Sequence, residues 1–307
     1  MAIATPAFIT ALFTQFRRDF EASYAAMAAA SFWMDVASEV PSTSASNTYG
    51  WLEDFPNMVE WVGARTIKDM KAEGYQITNK TWESTVGVKR EDIDDDNLGI
   101  YRPMVQHMGQ AAARHPDQLT ASLMNSADAT LCYDGQNFFD TDHPVAANHD
   151  GTGASTSVSN IFEPATTVGP KWFLLDTTKV LRPFIVQMRK RPEFVTKTSQ
   201  QQSDDVFVNN RYLFGADGRW NVGCGFWQLA LQSQATLNED NFFAACTQME
   251  EIQADGGRPM GVMPNLLVVP PALKATAYRT IKTALGDGGK SNPLYDMVDV
   301  KVVPWLA

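Results

Sequence analysis

The residues best suited to chemistry lie together in segment 132–144, CYDGQNFFDTDHP. Three carboxylates and one imidazole, groups that hold a metal ion or transfer protons, occur there: Asp134, Asp140, Asp142 and His143. The pairs Asp134-Gly135 and His143-Pro144 are also turn dipeptides, in which an Asp side chain hydrogen-bonds its own backbone. No second histidine–carboxylate cluster accompanies this one. The segment therefore favours a structural turn, and a soluble cytoplasmic enzyme with an acidic or metal site at Asp140, Asp142 and His143 is the alternative.

Other catalytic signatures are missing from the sequence. It contains no GxSxG, HExxH, GxGxxG or CxxC pattern. The segment GDGGKS (286–291) is close to a phosphate-binding loop, but Ala284 occupies the position of the first glycine. The three cysteines, Cys132, Cys224 and Cys246, suit neither a disulfide framework nor a zinc ribbon. We therefore predict no enzyme activity, no cofactor and no metal.

The charge balance excludes several classes of partner. The 307 residues include 25 Lys and Arg against 35 Asp and Glu, a net charge of -10. Nucleic-acid binding through phosphates and attachment to anionic membranes both need clustered positive charge. No apolar run reaches the roughly 20 residues of a membrane span. The N-terminal segment places its basic pair after the apolar residues, the reverse of a signal peptide, so we expect no export.

Helical periodicity begins at Thr5-Pro6, a cap followed by proline at the first helical position. Phe13, Phe16 and Phe20 then recur at helical spacing and predict an amphipathic helix. This helix could dock on its own core or on a neighbouring subunit. Residues 40–48, VPSTSASNT, have no apolar period and predict a flexible connector.

Aromatic and strand patterns follow the connector. Trp51, Phe55 and Trp61 fit either a core or a contact between partners, where aromatics are enriched. Alternation from Tyr75 to Val88 predicts a β-hairpin with Lys80 near its tip and Trp82 in its second strand.

The rest of the chain predicts a mixed α and β body. Five acidic residues in 91–96 precede apolar residues at helical spacing, which predict a long, rod-like helix through about residue 127. Acidic side chains at this position interact favourably with the positive, N-terminal end of a helix. Pro103 either kinks this helix or marks its start. Strands are predicted in 182–232, and a capped helix, a buried strand, another helix and a terminal strand in 238–302.

Several long blocks resemble the major head subunit of Mu-like phages and prophages. The resemblance runs in order over nearly the whole chain, in 46–63 (SNTYGWLEDFPNMVEWVG), 79–103, 108–117, 131–145 (LCYDGQNFFDTDHPV), 225–231, 255–261, 266–271 and 302–307 (VVPWLA). It implies an α+β fold of the Hong Kong 97 type used by tailed-phage shells. By the same resemblance, many copies would self-assemble as pentamers and hexamers into an icosahedral head around double-stranded DNA.

The family fold implies four regions. Residues 1–48 resemble the N-terminal arm, and 49–93 the extended loop with its hairpin. Residues 94–232 resemble mainly the peripheral domain, with the spine helix at 94–127 and strands after 182. Residues 233–307 resemble mainly the axial domain and terminal strand.

The resemblance also implies partners and contacts. The main partner is a second copy of the chain, assembled in the host cytoplasm into a virion capsid. A separate scaffolding protein is implied because no scaffold-like region precedes the arm, together with a portal, decoration proteins and packaged DNA bound without sequence specificity. Lys80 is the nearest candidate for the isopeptide cross-link of some members, but no partner motif accompanies it and we predict no bond. The contact candidates between subunits are Phe13, Phe16, Phe20, Trp51, Phe55, Trp61, Lys80 and Trp82.

Overall fold

The computed structural model describes residues 6–50, 74–94, 98–149, 151–163, 169–198, 204–286 and 289–306. The α-helices are α1 Pro6–Ala28, α2 Trp33–Val36, α3 Arg90–Asp94, α4 Leu98–Ser126, α5 Asp204–Asn209, α6 Glu239–Glu250 and α7 Lys274–Ile281. The strands are β1 Ala37–Pro41, β2 Ser46–Thr48, β3 Gln76–Thr78, β4 Lys80–Lys89, β5 His143–Ala146, β6 Ser155–Val158, β7 Ile161–Phe162, β8 Trp172–Leu175, β9 Phe184–Lys197, β10 Arg211–Cys224, β11 Ala230–Ser233, β12 Gln253–Ala254, β13 Arg258–Pro259, β14 Leu266–Val269 and β15 Asp299–Val302.

The predicted rod is the 29-residue helix α4. Pro103 and Pro116 both lie inside it, so Pro103 does not mark its start. Because proline lacks an N–H, each one removes a helical hydrogen bond. The acidic run supplies α3, immediately before α4. The long helix is confirmed.

A four-stranded sheet, in the order β1-β9-β10-β4, packs with α1 and α4. β9 and β10 form a long antiparallel pair, and β4 extends the sheet on the far side of β10. The core between this sheet and the helices contains buried Phe16, Phe20, Val105, Met108 and Phe214. The apolar stripe predicted for α1 therefore faces the interior of its own chain.

A five-stranded sheet, in the order β15-β14-β8-β11-β7, organises the larger core. Every residue of β8, β11 and β14 is buried, as expected for strands covered on both faces. Asn238 caps α6 by accepting a hydrogen bond from the N–H of Asn241, as its residue type predicts. The sheet joins strands from 161–175 with strands from 230–302, so its members are not continuous in sequence.

The predicted hairpin over residues 75–88 is wrong. β3 pairs with β2, whereas β4 pairs with β10 in continuous register from Lys80↔Trp220 to Lys89↔Arg211. Only Asn79 separates β3 from β4, and the tightest common hairpin turns need two loop residues. The chain therefore runs on from one sheet into the other instead of reversing.

The predicted flexible connector at 40–48 is also wrong. The segment contains the end of β1, which pairs with β9, and all of β2, which pairs with β3. Buried Asn79 donates through Nδ2 to the Ser42 hydroxyl and to the Ser44 carbonyl, both at 2.9 Å. Side-chain hydrogen bonds to a distant residue thus order a tract that has no apolar pattern.

Among the described residues, none of the helices has the length and apolar character needed to cross a bilayer.

Candidate assembly surfaces

An ion pair fastens α1 to α4 within the same chain. Arg102 donates through Nε and Nη2 to the two carboxylate oxygens of Asp19, at 2.7 and 3.0 Å. Asp19 is 8% exposed, and its hydrogen bond with Arg102 lowers the pKa of the carboxyl group although burial acts to raise it. Such two-point pairing fixes direction as well as distance, so it sets the position of the N-terminal helix on the spine helix.

A close backbone approach lies beside this ion pair. A Cβ atom on Gly109 of α4 would lie 2.6 Å from the carbonyl oxygen of Phe20. Phe20 and Phe16 are buried, and their rings contact Phe194 and Phe214 of the four-stranded sheet. Both candidate contact residues therefore fill the core of their own subunit in this structure.

Phe13, the third aromatic of α1, is half-buried at the edge of that core. It lines an open groove of about 290 Å³ together with Thr10, Thr14, Arg17 and Thr196. The groove is therefore lined by one aromatic ring, hydroxyl groups and one guanidinium.

Lys80 and Trp82 begin the outer strand β4. Lys80 is exposed, and Trp82 is half-buried with its indole N–H donating to the Trp220 carbonyl at 2.9 Å. The Trp82 ring lies 4.3 Å from the ring of His115, whose pKa is lowered by burial. Trp82 is thus anchored on one side and accessible on the other.

The remaining candidates, Trp51, Phe55 and Trp61, lie outside the described residues.

The histidine of the possible acidic site is a buried packing residue. His143 is 0% exposed, its Nδ1 lies 2.7 Å from Asp134 Oδ2, and its ring stacks on Trp227 with centroids 3.9 Å apart. Within the described part of the chain, its Nε2 has no hydrogen-bond partner and no group of three metal-ligating side chains occurs.

Of the two neighbouring carboxylates, Asp140 stabilises a turn. Asp140 accepts hydrogen bonds from the N–H groups of Asn137 and Thr141, and these lower its pKa although burial acts to raise it. A hydrogen bond to Asp140 raises the pKa of the exposed Asp142. Asn160 joins this turn to the core by accepting from the N–H of Asp140 at 2.9 Å. His143 and Asp140 therefore contact different residues and do not form one site.

A buried aspartate that the sequence analysis did not identify lies in the spine helix. Asp117 is 5% exposed and accepts a hydrogen bond from the N–H of Trp33 at 2.9 Å. Burial raises its pKa to about 6. It holds the start of α2 against α4, and 84 residues separate the two partners, so no local pattern indicates the contact.

Comparison with known proteins identifies the family of the chain. Residues 9–306 match the family described as Mu-like prophage major head subunit gpT. The chain belongs to this family. It is 43% identical to the major capsid protein of Escherichia phage Mu, over 99% of this chain and 100% of that protein. It is 40% identical to the Mu-like prophage FluMu major head subunit of Haemophilus influenzae, over 93% and 92% of the two chains.

Solved head structures support the same assignment. The chain matches a subunit of the bacteriophage JBD30 procapsid with a TM-score of 0.87 and 50% identity, covering 98% of this chain and 99% of that one. A subunit of the JBD30 capsid matches with a TM-score of 0.73 and 41% identity, covering 90% and 91%.

These matches settle the class of the protein. The chain is a major capsid protein of the Mu-like head subunit family, a structural component of the virion with an α+β capsid fold. The alternative of an acidic enzyme is overturned, because this family of head subunits is structural.

Proposed function

We propose that copies of this head subunit form pentamers and hexamers, which close an icosahedral head around double-stranded DNA. The observation that carries the proposal is the similarity to the JBD30 procapsid subunit along 98% of the chain. Many weak contacts between copies act together, so a modest interface repeated around a shell gives a stable assembly.

The two larger sheets support a division of the subunit into two domains. We assign α4 with the four-stranded sheet to the peripheral domain, and the five-stranded sheet with α6 and α7 to the axial domain. Residues 1–48 form the arm and 49–93 the extended loop, and these two segments contribute β1 and β4 to the sheet of the peripheral domain. Because β7 and β8 belong to the five-stranded sheet, the axial domain takes residues 161–175 as well as most of 233–307.

Exposed apolar side chains near the C-terminus support an axial contact. Tyr278, Leu285, Tyr295 and Met297 are between 42% and 61% exposed. The N–H of Asp296 donates to the carbonyl of Ile281 at 2.8 Å, which holds the chain at Asp296 against the end of α7. Grouped apolar exposure typically marks a surface that a partner covers, here a neighbouring copy in the same capsomer.

The contact candidates differ in accessibility. Lys80 is exposed, while Phe13 and Trp82 are half-buried, so these three remain available to a neighbour. Phe16 and Phe20 would act indirectly, by holding the arm in position. The aromatic candidates within 51–61 are proposed contacts of the extended loop.

We assign four further partners to the shell: a scaffolding protein during assembly in the host cytoplasm, a portal, decoration proteins and packaged DNA. One JBD30 capsid structure is decorated with minor capsid protein trimers. The net charge of -10 suits an inner wall that does not trap the genome, because DNA binding needs clustered positive charge.

Negative-stain microscopy of the expressed protein tests the proposal. Shells, tubes or rings of capsomers are expected. A compact monomer with a radius of gyration of about 19 Å, at concentrations where related subunits assemble, would contradict it. A strongly basic inner surface in a reconstructed shell would contradict the role assigned to the charge.

A further inference from the structure

Among the described residues, the outer edge of the four-stranded sheet is long and has no paired strand. β4 has ten residues and no proline, and its register with β10 continues without a bulge from Lys80 to Lys89. No other described strand pairs with its second edge. The opposite edge, β1, has five residues and ends at Pro41. Soluble proteins shorten, bend or block exposed edges, because unpaired N–H and C=O groups bind other strands.

The charges of β4 restrict what can pair with it. Glu83 and Lys89 are exposed on the same face, and neither has an ion-pair partner among the described residues. They lie six residues apart, so β4 presents one negative and one positive side chain to a strand that pairs with it. Opposite charges directly across an antiparallel pair are favourable and like charges are unfavourable. The strand is therefore complementary to a second copy of itself.

Two-fold symmetry limits the registers in which two β4 strands can pair. A two-fold axis perpendicular to the joined sheet keeps the buried faces of both copies on one side, which requires that residues of the same face lie opposite each other. Placing Glu83 opposite Lys89 satisfies this condition and forms the charge pair twice. Thr85 then faces Gly87, and Val86 faces its counterpart at the axis. A register with Glu83 opposite its own counterpart would instead bring two carboxylates together.

We propose that β4 is a contact between two copies of this chain, in which the two strands pair antiparallel about a two-fold axis with Glu83 opposite Lys89. The inference rests on the proposed assembly into shells, because that assembly brings two copies together.

Charge reversal tests the register. Glu83→Lys and Lys89→Glu each convert both charge pairs into repulsive ones, so each variant should assemble about tenfold more slowly at low salt. The double variant E83K/K89E restores both pairs and keeps the net charge, so its assembly rate, followed by light scattering, should return to within about twofold of the parent. A double variant no faster than the single ones would overturn the proposal.

A cross-link tests the axis independently. In assembled shells, Val86→Cys places two thiols directly opposite each other, within the range of a disulfide. Oxidised shells should yield a dimer on a non-reducing gel. The matched control Thr81→Cys lies on the same strand outside the paired segment and should yield none. Intact V86C shells without a dimer would overturn the β4 contact and leave the head function standing, whereas failure of the parent chain to form any shell would contradict the head function itself.

Discussion

Replacing the buried aspartate of the spine helix should make the subunit more stable near neutral pH. The pKa of Asp117 is about 6 in the folded chain, against 3.8 for an unperturbed aspartate, and burial is the main cause. Between these two pH values the folded chain keeps a proton that the unfolded chain has released. The contribution of Asp117 to stability is therefore greatest below pH 3.8 and falls as the pH rises through 6.

The size of the effect follows from the two pKa values. Their difference corresponds to about 3 kcal/mol, most of which develops between pH 4 and 7.5. Asp117→Asn keeps an oxygen that can accept from the N–H of Trp33 and carries no charge at any pH. Relative to that of the parent, the free energy of unfolding of the variant should thus rise by about 2–3 kcal/mol from pH 4 to 7.5.

Urea unfolding of unassembled subunits, measured by tryptophan fluorescence at several pH values, checks this prediction. Glu21→Gln, which neutralises an exposed carboxylate on α1, is the control and should show a constant difference from the parent. A difference between D117N and its parent that does not change from pH 4 to 7.5 would refute the reasoning, because the burial cost of the charge would then be absent.

Three further substitutions test how the subunit is fastened together. Gly109→Ala should destabilise the chain by about 1–3 kcal/mol, seen in thermal unfolding, because the added Cβ meets the carbonyl of Phe20. Arg102→Met should destabilise the chain at pH 7 and speed proteolysis of α1, because it leaves the Asp19 carboxylate without its charged partner. Since Arg102 lowers the pKa of Asp19, this destabilisation should shrink as the pH falls below 3.8. His143→Ala should cost about 3 kcal/mol in urea unfolding, whereas an unchanged stability would show that its ring and carboxylate contacts contribute nothing.

The sequence pattern correctly predicted elements that are stabilised by nearby residues, such as a helix cap, and elements that bury only one face. The stripe around Phe16 and Phe20 indicated α1, and the cap at Asn238 indicated α6, because both signals lie within a few residues of the structure they produce. The alternation in β4 was also predicted correctly. Its partner was not, since the pattern of a strand states which face is buried and not which strand lies beside it.

Polar residues account for most of what the sequence analysis missed. Asn79 orders the tract at 42–44, and Tyr49 donates to Gln187, a buried residue 138 positions away, at 2.7 Å. Each of these side chains is polar and was consistent with a loop when considered alone. A buried polar group needs a hydrogen-bond partner, and in these cases the partner is distant in sequence and is brought near only by the complete fold. Local composition therefore predicted flexibility where the structure is ordered.

The same distinction explains why one subunit suits assembly. Its long-range polar contacts, such as Arg102 with Asp19 across 83 residues, close the interior and hold α1 on its own spine helix. Among the described residues they leave two surfaces open, the ten-residue edge of β4 and the exposed apolar group around Tyr278 and Tyr295. Backbone hydrogen bonds at the first define an orientation, and apolar burial at the second adds free energy without one. A shell needs both properties, because a contact that only attracts would aggregate copies at random, and one that only orients would not hold them.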